Sequence, residues 1–314
     1  MRFDEFVKNA SFALSEGSVY ERLRRDPSVE FDPYIFHASL IYDEKARQIL
    51  AGVHRVYMDV AQKHQLPMLV TTDTWRASQE RIDLSKFKGR KVNQDNVQFM
   101  KDLRTEYLEN TQPIFVVGQI GPRGDAYKSE EALSKNEAET FHCPQLDALA
   151  ESGVDLLFAA TLPAFSEAQG IAAAMSKYGL PYMLSFVIRP EGTLLDGTPL
   201  GEAMDIIDNS VSNPPTGYAV NCVHPKIFAS GMSALDETHR SRIFSYQANT
   251  ANLRPEELNE AKELITEEPD VLADLILNAH RSFHTLFMGG CCGTDTRHIE
   301  QLAEKYTVIK TLKE

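Results

Sequence analysis

The sequence predicts a (β/α)8 barrel, and three observations carry that expectation. Eight short apolar runs recur along 314 residues, longer segments with helical spacing stand between them, and the turn that a nucleotide-binding open sheet needs is missing. Strand–helix alternation demands a parallel sheet, either open and doubly wound or closed into a barrel. The open dinucleotide-binding form wants Gly-x-Gly-x-x-Gly after its first strand. The nearest approach joins Gly118, Gly121 and Gly124, with different spacing and Pro122 where a helix should begin. The count of eight, and a length near the ~250 residues typical of barrels plus some loops, favour closure.

In chain order, a weak strand fits 11–15, and Glu44 to His64 reads as a helix. Its apolar residues Ala46, Ile49, Leu50, Val53, Val56, Tyr57 and Val60 form one stripe. Strands follow at 67–72 and 113–118, a helix at 136–152, and a strand at 154–160. A helix at 165–178, a strand at 181–188, a helix at 200–209 and a strand at 217–222 continue the series. A second weak strand at 242–246, a helix at 255–265 and a strand at 284–288 complete it. The strand segments are four to eight residues long and mostly rich in β-branched or aromatic residues, as strands buried on both faces are. No repeat, low-complexity tract or flexible linker divides the chain, so residues 1–314 read as a single domain.

Composition narrows the function. Lys and Arg number 32 against 45 Asp and Glu, a net charge of −13, which repels phosphate backbones and anionic lipid. The longest basic run is Arg22-Leu23-Arg24-Arg25, and no apolar stretch approaches the ~18–20 residues of a membrane span. Asp4, Glu5 and Lys8 interrupt what a signal peptide would keep apolar. The expectation is a cytoplasmic protein with small-molecule partners, no nucleic acid and no membrane, with homo-oligomerisation left open.

The chemistry concentrates in Gly289-Gly290-Cys291-Cys292-Gly293-Thr294, after the last strand. Consecutive strand residues point to opposite faces, so Cys291 and Cys292 can share a target only where the backbone bends, which the flanking glycines permit. Cys222 ends another strand and opens on the same face, the C-terminal end, where barrels place active sites. Three sulfurs that converge suit Zn²⁺ with a fourth position open; otherwise the three are buried small hydrophobes. Three thiolates and one Zn²⁺ sum to −1. That charge disfavours ionising water for hydrolysis and suits binding an incoming thiol as its thiolate, ready to attack a methyl group. Cys143, inside a helical segment without glycines, reads as structural.

These residues resemble the zinc-dependent homocysteine S-methyltransferase family, which includes the betaine-homocysteine methyltransferases. The likeness rests on 289–294, on Asn221-Cys222, on 118–122, and on Thr72-Asp73-Thr74-Trp75-Arg76-Ala77-Ser78. Thr161-Leu162-Pro163 and 196–200 extend it in family order over almost the whole chain. The resemblance implies the barrel, Zn²⁺ held by Cys222, Cys291 and Cys292, methyl transfer from an onium or methylated donor to a thiol bound as fourth ligand, and a place in methionine biosynthesis. Glu16, Gly17, Asp73, Trp75, Arg76 and Asn221 are the expected substrate-binding residues.

The departures concern the pocket. The family's Glu before Thr-Ile-Pro, which holds the ammonium of homocysteine, is Ala160 here. The family's Asp-Gly is Glu16-Gly17, its Met-Gly-Thr is Val19-Tyr20-Glu21, the Asn of Thr-Asn-Thr is Asp73, and a Gln or Tyr position is Arg76. A buried ammonium needs a carboxylate, so either Glu16 or Asp73 replaces the missing acid or the acceptor is a different thiol. Arg76 suits a carboxylate or sulfonate, or pairs with Glu80 one helical turn on. Tyr20 and Trp75 stand either as a donor pocket for onium methyl groups or as core, and Asn249 as a polar group at the mouth. His224 reads as a loop histidine. A non-catalytic barrel with a closed structural zinc is the alternative outside enzymology.

Overall fold

In the computed structural model, which describes residues 1–109, 111–258 and 265–312, eight parallel strands close into a barrel in sequence order. They are β1 Ala13–Ser15, β2 Met68–Thr71, β3 Ile114–Ile120, β4 Leu156–Leu162, β5 Tyr182–Phe186, β6 Gly217–Val223, β7 Ile243–Ala248 and β8 Phe287–Gly290. Pairing of Ala13 with Phe287 and Leu14 with Met288 joins β1 to β8. All eight expected strands are present, the two weak ones included.

Side-chain alternation divides the core into two shells. Ala13, Leu69, Phe115, Phe158, Met183, Ala219 and Phe287 fill the inside of the barrel. Their neighbours, such as Leu14, Val70, Val116, Leu157, Leu184 and Val220, face the surrounding helices. The helix α1 Phe3–Asn9 closes the N-terminal end: Phe3 meets the rings of Phe115 at 5.3 Å and Phe287 at 5.6 Å, and Phe6 lies 5.0 Å from Phe115.

The expected helices appear as α3 Glu44–Lys63, α6 Lys135–Glu151, α7 Phe165–Met175 and α8 Leu200–Ser210; α2 Tyr20–Arg24 is a short turn before α3, and α4 Gln79–Leu84 and α5 Val92–Thr105 lie between α3 and α6. The helix expected at 255–265 is seen as Pro255–Leu258; the stretch 259–264 lies outside the described residues. Several helices were not foreseen. Val92–Thr105 carries buried asparagines on its inner face: Asn96 donates to the carbonyl of Ala38 at 3.1 Å, and this polar content blurs the stripe. Pro225–Ser233, Pro269–Phe283 and Thr296–Thr311 complete the outer ring. The stripe Leu272, Ala273, Ile276 and Leu277 behind Pro269 was a legible signal for the second of these. No described helix is long and apolar enough to cross a membrane.

Candidate functional site

Cys222 reaches the barrel mouth through a bulge. Along β6 and β7, Val220 pairs with Tyr246 and Asn221 with Gln247, yet Val223 pairs with Ala248, so Cys222 is an extra residue. Its φ is +60°, a conformation that costs a non-glycine residue roughly 1–3 kcal/mol. The kink breaks the alternation, so that Asn221 and Cys222, adjacent in sequence, both line one cavity. β4 is irregular between Ala159 and Leu162, with Thr161 at φ +65°. Asn221 ties the two irregular segments together: its amide oxygen accepts from Thr161 N at 3.0 Å and Ser185 Oγ at 2.7 Å, and its nitrogen donates to Thr161 Oγ1 at 2.8 Å.

The second arm is the turn after β8. Cys291 N donates to Ala248 O at 2.7 Å, and Thr250 N to Cys292 O at 3.2 Å, so the last residue of β7 and the loop just after it pin the two cysteine backbones. The chain then bends as the glycines foretold: Thr294 N returns to Cys291 O at 3.2 Å and Gly293 adopts φ +86°. A Cβ on Gly293 would lie 1.7 Å from Thr250 Oγ1, so only glycine fits. Thr294 Oγ1 donates to Cys291 O at 2.7 Å and accepts from Ser18 N at 3.1 Å, joining this turn to the loop after β1.

The three sulfurs meet. Cys222 Sγ lies 3.0 Å from Cys291 Sγ and 3.5 Å from Cys292 Sγ, and all three fall within 4.8 Å of one another. Tetrahedral zinc, with Zn–S bonds near 2.3 Å, separates its sulfurs by about 3.8 Å, so small adjustments seat the ion. All four cysteines are free, and no other described group of three His, Cys, Asp or Glu ligand atoms is so arranged. Thiol donation from Cys291 and Cys292, with the hydroxyl of Tyr127 at 3.1 Å, holds the Cys222 thiol well below its usual range. The same pairing with Cys222 pushes Cys291 and Cys292 up. Asn249 Nδ2 lies 3.8 Å from Cys222 Sγ and Asn221 Nδ2 4.0 Å from Cys291 Sγ.

Beside the sulfurs is an inner chamber of about 220 Å³, whose walls include Glu16, Gly17, His37, Asp73, Trp75, Thr161 and Asn221. His54, fully buried on α3, bridges its two acids: Nδ1 is 2.6 Å from Glu16 and Nε2 3.1 Å from Asp73. Burial works against charge on this imidazole, but the two carboxylates prevail and push its pKa up to about 10. Glu16 also accepts from Thr71 N at 2.8 Å. His37 stands 3.5 Å from Asp73, and burial pushes its pKa down, so it is neutral at pH 7. Gly17 has no side chain because Tyr57 fills that space; an added Cβ would meet its hydroxyl at 2.7 Å.

An outer vestibule of about 330 Å³ shares Tyr20, Trp75, Tyr127 and Cys292 with the chamber and adds Phe36 and Arg76. Trp75 Nε1 donates to Ala160 O at 3.3 Å, and the chamber wall there is Trp75 and Thr161 rather than Ala160. Arg76 does not pair with Glu80, which binds Arg123 at 3.0 Å instead. It donates to the carbonyls of Pro122 (2.9 Å) and Gly124 (2.5 Å) and stacks 4.2 Å from the Trp75 ring. His224 caps its helix, accepting from Lys226 N at 3.2 Å, and half-buried Cys143 on α6 is not part of the sulfur cluster.

Every expected site residue therefore borders the chamber or vestibule. Sequence reasoning missed Tyr127, His37 and His54. His54 sits on the buried stripe of α3 beside Val53 and Tyr57, the one clue available; Tyr127 comes from an irregular loop, and His37 opens a short 3-10 helix, His37–Tyr42, too brief for a periodic signal.

A family model described as homocysteine S-methyltransferase matches residues 14–306. The homocysteine S-methyltransferase YbgG of Bacillus subtilis is 25% identical over 245 residues, 73% of this chain and 75% of that protein. That of Escherichia coli is 31% identical over 138 residues, 41% of this chain and 44% of its own length. The metallated form of the homocysteine methyltransferase MmuM from Escherichia coli superposes with a TM-score of 0.75 at 20% identity, over 96% of this chain and 98% of that one. With the family model spanning nearly all of it, this chain belongs to the homocysteine S-methyltransferase family.

Proposed function

We propose that this chain, a single barrel domain working in the reducing cytoplasm, methylates a small thiol of the homocysteine type. Zn²⁺ held by Cys222, Cys291 and Cys292 is its cofactor, and an onium or other methylated compound is its donor. The observation that carries the reading is the convergence of three sulfurs from two strand ends, within 4.8 Å, on the wall of a cavity. Zinc, when bound there, supplies the positive charge that favours thiolate over thiol in a fourth sulfur entering the cavity.

The protein's own residues do the rest. The bulge at Cys222 and the turn at Gly293 hold the donor set ready before substrate arrives. Glu16 and Asp73, two carboxyl groups sharing the one His54 between them at the chamber wall, offer the acceptor's ammonium the partner that Ala160 cannot. Tyr20, Trp75 and Phe36 give the vestibule aromatic faces that attract onium methyl groups. The acceptor thiol gives its proton to solvent, its sulfur forms the new S–CH3 bond, and the donor's C–heteroatom bond breaks with both electrons going to the leaving heteroatom. With homocysteine the product is methionine.

Mass spectrometry of products from a thiol panel crossed with a donor panel tests the reading. Homocysteine is expected to gain a methyl group at least tenfold faster than 4-mercaptobutyrate, which lacks the amine. Equal rates would remove the ammonium site, and no methylated thiol with any donor would remove the reaction.

A further inference from the structure

The loop between β3 and α6, residues 121–134, crosses the barrel mouth and touches both cavities. Tyr127 lines chamber and vestibule alike, with its hydroxyl 3.1 Å from Cys222 Sγ. The carbonyls of Pro122 and Gly124 accept from Arg76 at 2.9 and 2.5 Å, and Arg76 stacks 4.2 Å from the Trp75 ring. One buried side chain ties this loop to the helices outside the barrel. Glu167 stands in the first turn of α7 and is 0% exposed. An acid there commonly reaches back to cap its own helix, but Ala164 opens α7 without a side-chain cap, and Glu167 turns to its neighbours instead. Its Oε1 accepts from Arg123 N at 2.8 Å and lies 3.0 Å from His142 Nε2 on α6, and its Oε2 accepts from Leu133 N at 3.4 Å. Ser166 Oγ adds a bond to Leu133 O at 2.8 Å. Close helix packing encloses the group: a Cβ on Gly170, one turn on, would lie 2.2 Å from Lys135 O.

One carboxyl group therefore gathers the two ends of the loop, at 123 and 133, against a single helix. An apolar residue would fill the space between α6 and α7 without the cost of burying a polar one, so packing does not account for a glutamate here. We infer that Glu167 is a positioning residue for the sulfur site. By fixing both ends of the loop, it keeps the Tyr127 hydroxyl on Cys222 and holds Arg76, through the carbonyls of Pro122 and Gly124, against Trp75. Hydrogen-bond partners behind a metal's ligands orient them and tune the metal. The effect on the sulfurs rests on reading them as metal ligands; the effect at Trp75 does not.

Glu167→Gln tests it, because an isosteric amide offers one acceptor oxygen where the carboxyl group offers two, and so releases one end of the loop. Two readouts follow. In the metal-free full chain, acrylamide quenching of Trp75, the only tryptophan, is expected to rise at least twofold. In the cobalt-loaded chain, the sulfur-to-cobalt absorption band is expected to move to lower energy in Tyr127→Phe, which lacks the hydroxyl. Glu167→Gln should move it the same way by at least half as much, and the double variant no further than Tyr127→Phe alone. Thermal melts identify the folded variants. Should Glu167→Gln fail to fold, Glu167→Asp, one methylene short, carries the same comparison with smaller changes in the same directions. Native quenching or a native band in the folded variant overturns the inference, as does a cobalt shift that adds in full to that of Tyr127→Phe. A native chain that binds no cobalt through sulfur counts against the metal reading, and the quenching of Trp75 then decides for Glu167 alone.

Discussion

At the residue scale, the three cysteines were legible because sulfur pairs flanked by three glycines have few uses, whereas their partners were not. Tyr127 reaches Cys222 from an irregular loop, and His54 reaches Glu16 and Asp73 from a stripe that otherwise reads as packing. Cys291→Ala is expected to abolish zinc retention and methyl transfer together, measured by elemental analysis and product formation on one preparation. Full activity in a zinc-free variant would contradict the scheme. His54 makes a separate prediction. Its pKa of about 10 in the folded chain exceeds the ~6.5 of an unfolded histidine. The stabilisation it brings is therefore complete below pH ~6.5 and is lost as pH rises towards 10, by at most about 1.4 kcal/mol per pH unit. Denaturant melts between pH 6 and 9 should show the stability advantage of the native chain over His54→Gln shrinking as pH rises; an advantage that is flat or grows would contradict the bridge.

At the scale of elements, six of the strands were readable as the apolar runs that burial on both faces leaves, whereas β1 and β7, short or interrupted by Ser245 and Gln247, gave only weak signals, and β8 runs on to Gly290, two residues past the run expected at 284–288. The bulge at Cys222 and the irregularity at Thr161 were invisible, since each depends on register against a neighbouring strand and on the Asn221 amide that joins them. The loop after β3 has a comparable hidden anchor: buried Glu167 on α7 accepts from Arg123 N at 2.8 Å and pairs with His142 at 3.0 Å. That loop carries Tyr127 and the carbonyls that hold Arg76. The turn after β8 offers the sharpest test of an element as a ligand-positioning device. Gly293→Ala meets both a φ of +86° and Thr250 Oγ1, so it should cost roughly 1–3 kcal/mol or more and lower zinc stoichiometry while leaving every sulfur in place. Unchanged zinc content would mean that the turn does not set the ligand geometry.

At the scale of the whole molecule, the barrel separates stability from chemistry by its two ends. The N-terminal end is sealed by Phe3 and Phe6 against Phe115 and Phe287; the C-terminal end holds the sulfurs, the acid–histidine chamber and the arginine vestibule. Phe6→Ala should cost about 3 kcal/mol or more and lower the melting temperature, with turnover of the folded enzyme unchanged at a permissive temperature. A large loss of turnover there would show that the two ends are coupled. The net charge of −13 hides this internal arrangement: an acid-lined chamber and an arginine facing a vestibule lie a few side chains apart, and composition averages over both. The central claim is that Cys222, Cys291 and Cys292 hold one divalent ion and leave a fourth position for a thiol, and X-ray absorption at the zinc edge tests it most directly. The account predicts one zinc per chain with three sulfur neighbours, rising to four near 2.3 Å when homocysteine is added. A chain that holds no stoichiometric zinc, or a sulfur count unmoved by the thiol, would contradict it.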